Sequence, residues 1–135
     1  MSKAIRTRSV PRENSRVALK MAQQFCATAQ DEMIKERWNS AGLSAIHCGI
    51  SAADAALIHV AGVRSVSQDH ANVSCLLEEH INSFRGSPRT QLVGLLKMKN
   101  DVAYEQRLIT QKEARTLVTA AERFFAWANE CCEQV

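Results

Sequence analysis

Apolar positions recur along most of the chain at the spacing of helices. Val17, Met21, Phe25 and Met33 keep that spacing, with Leu19, Cys26 and Ile34 alongside. They predict a first helix from Asn14 or Ser15, either of which can cap it, to about Arg37. A second helix, about Asn39 to Ala61, is dense in Ala, Gly and Ser. Such low bulk lets backbones approach closely, which predicts a helix at the bundle centre or in a subunit contact. Gly62 ends it. Ser67 to Asp69 can cap a third helix carrying Val73, Leu76, Leu77, His80 and Ile81. Gly86, Ser87 and Pro88 then interrupt the pattern, and Ser87-Pro88 reads as N-cap followed by N1. A fourth helix passes Leu92, Leu95 and Leu96 and runs to about Val102. Tyr104 to Ile109 breaks the period. Thr110-Gln111-Lys112-Glu113 is a capping box that opens a last helix through Leu117, Phe124 and Ala128.

Short connections favour antiparallel neighbours. The pattern therefore predicts an all-α, up-and-down bundle of four to five helices over residues 15–135. Residues 1–14 read as a basic, flexible lead-in. Lys3, Arg6, Arg8, Arg12 and Arg16 cluster there with Glu13 as their acidic neighbour, so an arm lying against phosphates is the sharper alternative.

Composition adds little that is specific. The net charge of +3 does not by itself imply nucleic acid. Five cysteines, with no CxxC pair, predict free thiols in a reducing, cytoplasmic setting. No Cys/His spacing matches zinc, so no metal or cofactor is expected. The start lacks an apolar signal region, and no later run reads as long enough to span a bilayer, so no membrane association is expected.

Polar residues in apolar surroundings are the candidates for chemistry. Asp54 stands in an otherwise buried-looking segment and should have a cationic or hydrogen-bonding partner. His47, seven residues earlier, shares its helix face. A structural tie and a binding role are both open for this pair. His70, beside Asp69 at a helix start, either packs there or lines a cleft. The densest polar cluster is Lys97 to Arg107, where a helix ends. Lys97, Lys99 and Arg107 supply cations, and Asn100 and Tyr104 supply hydrogen-bonding groups. The cluster can hold a phosphate or simply complete a polar helix end.

The order and spacing of several segments resemble the HEPN superfamily of small helical bundles, particularly its actinobacterial-type single-domain members. Those segments are Arg37-Trp38-Asn39-Ser40-Ala41 with Ser51-Ala-Ala-Asp-Ala, then Gly62-Val-Arg-Ser65, Gln68-Asp69-His70, and Lys99-Asn100-Asp101-Val-Ala-Tyr104-Glu105. The resemblance covers about residues 15 to 130. It implies an often dimeric bundle that binds RNA or nucleotides. Many members are metal-independent endoribonucleases of toxin–antitoxin, CRISPR-associated or phage-defence systems, and some are encoded beside a nucleotidyltransferase partner. The family motif is an arginine, a polar residue and, four to six residues after the arginine, a histidine. Lys99 stands at the arginine position, Asn100 at the polar one and Tyr104 at that of the histidine. On this resemblance Lys99, Asn100 and Tyr104 are the catalytic candidates, with Arg107 and Lys97 on phosphate. Asp54, His47 and His70 are supporting polar residues.

The departures have chemical weight. A free tyrosine has a pKa near ~10 against about 6.5 for histidine, so it is a poor base at neutral pH. Lysine lacks the planar fork that grips phosphate bidentately. A Lys/Tyr pair is compatible with assisted cleavage beside a ribose 2′-OH and equally with binding without turnover. Five residues of continuous helix turn the chain through about 500°, leaving Lys99 and Tyr104 roughly 140° apart. They converge only if the helix ends or distorts between them, or if a second subunit closes the cleft.

Overall fold

The computed structural model describes residues 5–66 and 71–133. Their order is β1 (Thr7–Ser9), α1 (Asn14–Ile34), α2 (Trp38–Ala61), β2 (Val63–Ser65), α3 (Ala71–His80), a 3₁₀ turn (Asn82–Phe84), α4 (Ser87–Lys97), α5 (Lys99–Ala103) and α6 (Gln111–Glu133). The chain is a helical bundle, as the spacing predicts. One small two-stranded ribbon is added to it.

α2 is the central helix. Ala41, Ala45, Cys48, Ala52, Ala55 and Ala56 are fully buried on it. α1 meets it through Ala22 and Ala29, also fully buried. Small residues on both sides let the two backbones lie close, so the small-residue stripe is used inside the bundle. Gly42 and Gly49 extend the same logic. A Cβ on Gly49 would stand 2.7 Å from Leu95 Cδ1 of α4, and one on Gly42 would stand 3.0 Å from Ile109 Cδ1. By length and composition α2 is apolar enough to cross a membrane, which corrects the expectation that no run is. Its apolar side chains are instead packed against the other helices. The core is completed by Phe84, Phe124 and Trp127, with Phe84 and Phe124 edge to face at 6.5 Å and Trp127 against both.

Helix ends follow backbone needs more closely than side-chain caps. α1 stops three residues before Arg37, and Glu36 takes a left-handed φ of 60° in the turn. Neither Asn14 nor Ser15 caps it; Glu13 holds the cap position without a side-chain bond. Gly62 ends α2 at φ 66°, as expected, and its N–H donates to Ile58 O at 2.8 Å. Gly86, at φ 109°, takes the cap position expected of Ser87, which becomes the first residue of α4. The predicted fourth helix is two pieces that break at Met98. The capping box forms as read: Glu113 N donates to Thr110 Oγ1 at 3.1 Å, and Thr110 N to Glu113 Oε1 at 2.9 Å.

The basic lead-in contributes β1, which pairs antiparallel with β2. Val10 N donates to Gly62 O at 2.8 Å and extends the tie. Arg8 lies directly opposite Arg64 in the register. The cap expected at Ser67 to Asp69, and His70 with it, lie outside the described residues.

Candidate functional site

The polar cluster sits where α4, α5 and the start of α6 meet. Lys97 is the exposed last residue of α4. Lys99 is the half-buried first residue of α5, and Asn100 the exposed second. α5 ends at once: the N–H groups of Tyr104 and Glu105 both donate to Asn100 O at 2.9 Å. Tyr104 therefore leaves the helix and points outward, 69% exposed. α5 runs unbroken from Lys99 to Ala103 and ends immediately before Tyr104.

The turn after α5 is held from α2. Asn39 donates through Nδ2 to Arg107 O at 2.9 Å and Val102 O at 3.3 Å. Its Oδ1 accepts from Ile109 N at 2.9 Å. One amide side chain thereby fixes both arms of the loop. A shallow cavity of about 330 Å³ lies against this turn, bounded by Asn39, Tyr104, Gln106, Arg107 and Leu108. Tyr104 and Arg107 share it. Lys97, Lys99 and Asn100 do not line it, nor do His47 and Asp54.

Arg107 is fully engaged. Its Nη1 and Nη2 donate to the two oxygens of Glu113 at 3.0 Å each, and Nη2 also donates to Asp101 Oδ2 at 2.9 Å. The bidentate fork, together with the Thr110 amide, pushes the Glu113 carboxyl down to about 2. The same two carboxylates raise the Arg107 pKa further above its ordinary value. The cation expected on phosphate is thus already on two carboxylates.

The other candidates are separate. His47 is exposed on α2, its ring 5.4 Å from that of Phe25. Asp54 finds the cationic partner its burial demands: Arg64 of β2 at 3.7 Å. Burial still outweighs Arg64 and raises the Asp54 carboxyl. This is a tie between α2 and the ribbon. Cys48 Sγ donates to Ala121 O at 4.0 Å; the Cys26 thiol and burial raise the Cys48 pKa, and the Cys48 thiol lowers that of Cys26. All five cysteines are free thiols.

Three residues that shape the site are not among its sequence candidates. Asn39 reads as a helix-start residue within the resemblance segment Arg37 to Ala41. Asp101 and Glu113, the holders of Arg107, sit six residues on either side of it, a spacing that no helical or strand period singles out. No family model matches the chain, and no curated protein matches it.

Proposed function

We propose that the chain is a HEPN-like bundle that binds RNA without cleaving it. The RNA half of this reading rests on the resemblance of residues 99–105, and the observation that carries the other half, binding without cleavage, is the double engagement of Arg107. A guanidinium held on two carboxylates is not free to stabilise a phosphorane-like charge. The cavity beside it is lined by no histidine, and its one phenol is open to water. What remains for binding is Lys97 and Lys99 as point charges with Asn100 on α5, and, on the separate cavity of the following turn, the exposed Tyr104 ring. On the ribbon Arg8 faces Arg64, whose charge is already met by Asp54 at 3.7 Å, so Arg8 is the cation that an anionic ligand would meet there.

The test is to incubate the pure chain with total and structured RNA in EDTA, alongside Tyr104→Phe and Lys97→Ala/Lys99→Ala. Expected are salt-sensitive binding, no cleavage product, and weaker binding in the lysine double variant. RNA cleavage that Tyr104→Phe abolishes would show an enzyme. No binding at low salt would sink the RNA reading and leave an interaction module.

A homodimer is consistent with this reading and is favoured by α1. Val17 and Met21, one turn apart, are 62% and 46% exposed there. Light scattering at tens of micromolar should give twice the 15.0 kDa chain mass.

A further inference from the structure

A groove of about 700 Å³ lies between α4 and α6. It borders the turn described above at Glu113 and is shaped by a missing side chain. Gly94, exposed in the middle of α4, has nothing within 4 Å of where a Cβ would stand. The floor is apolar, formed by Met98, Leu117 and Ala120. Along α6 the groove runs from Lys112 to Arg123. Eleven residues of helix span about 16 Å, or three turns.

Charge decides what fits. Lys112 stands at one end of the groove, Arg115 beside it and Arg123 at the other end. None of the three forms an ion pair among the described residues. The one carboxylate on the groove, Glu113, is turned to Arg107. The groove therefore presents an apolar centre with uncompensated positive charge at both ends. A small anion would need cations converging on one point, and these are spread over three turns. A base-stacking ligand would need an aromatic platform, and no aromatic residue lines the groove.

We propose that this groove docks an acidic amphipathic helix of a partner protein. Such a helix would set apolar side chains at i, i+4 and i+7 over Gly94 and Ala120 and place Asp or Glu at each end. The proposal is independent of the RNA reading.

The probe is a capped, fluorescein-labelled 14-residue peptide, with Leu at those spacings and Glu at both ends, titrated with the intact chain. Saturable micromolar binding that weakens with salt is expected. Gly94→Leu should fill the groove and weaken binding at least tenfold. It should fold as stably as the parent, because Leu is the better helix former and the site is open. Arg115→Glu/Arg123→Glu should weaken binding about tenfold and remove most of its salt dependence. Lys97→Ala/Lys99→Ala, which tests the RNA reading, should leave peptide binding unchanged. The proposal fails if the peptide does not bind, or if folded Gly94→Leu binds it as the parent does. It also fails if Gly94→Leu abolishes self-association or RNA binding instead, since the occupant would then be a second copy or RNA.

Discussion

At the residue scale, Asn39 carries more of the candidate site's geometry than any residue of the motif. It makes three hydrogen bonds to the backbone of one loop. Asn39→Ala leaves the Ile109 N–H and the Val102 carbonyl without their partner, in surroundings where both residues are buried. Loss of a buried partner costs about 1–3 kcal/mol, so Asn39→Ala should lower unfolding stability by about 2 kcal/mol in urea. Hydrogen exchange across 102–109 should quicken with it; a loss under about 0.5 kcal/mol in that same measurement would show that the loop holds itself. The two shifted carboxyls predict opposite pH behaviour. Glu113, lowered from 4.5 to about 2, adds stability that is complete above 4.5 and drains as pH falls towards 2. Asp54 is raised, so the native chain holds its proton longer and stability falls as pH rises through that titration. Asp54→Asn should therefore raise Tm relative to the parent at pH 8, and the gain should vanish at pH 3. A gain independent of pH would assign the effect to something other than the buried charge. Part of this was legible: the oddity of Asp54 called for a cationic or hydrogen-bonding partner, and Arg64 is a cationic one. The clamp on Arg107 was not, because it depends on how a loop closes, and loop closure leaves no periodic trace.

At the scale of elements, the same substitution in two helices should have opposite signs. Gly→Ala in a helix interior gains up to about 1 kcal/mol from lower backbone entropy in the unfolded chain. At Gly94 nothing opposes that gain, and Gly94→Ala should stabilise by about 0.5–1 kcal/mol. At Gly49 the new methyl meets Leu95 Cδ1 at 2.7 Å, and Leu95 is itself fully buried. Overpacking of that kind costs about 1–3 kcal/mol, so Gly49→Ala should destabilise by about 1 kcal/mol net. Urea midpoints of the two variants decide it, and equal signs would mean that α2 and α4 are not packed as described. The helices themselves were readable from spacing, because apolar periodicity records which face is buried. Their ends were less so. Gly86 displaced Ser87 as cap because its φ of 109° is open to glycine, and Met98 split the fourth helix where the apolar period alone showed no break. The β1–β2 ribbon escaped because three-residue strands carry too little alternation to register.

At the scale of the molecule, the two cationic regions lie at opposite ends of α2. Asn39, at its start, holds the motif loop, while Gly62, at its end, leads into β2 and Arg64. A helix of 24 residues is about 36 Å long, so the regions do not share a phosphate. Independent sites contribute additively, and a salt titration can separate them. Each phosphate contact on a single strand contributes about 0.7 to the slope of log K against log salt. Lys99→Ala should flatten the slope for a single-stranded RNA by about that amount, and Arg8→Ala should do the same on an RNA long enough to reach the ribbon. Arg107→Ala should leave the slope unchanged, because its charge is spent on Asp101 and Glu113 before RNA arrives. Affinity would still fall somewhat in that variant, since two carboxylates would be left uncovered near the strand. If Arg107→Ala instead flattens the slope as Lys99→Ala does, the guanidinium exchanges its carboxylates for phosphate on binding. Arg107 would then belong to the reacting site, and the case for binding without turnover would lose the observation it rests on.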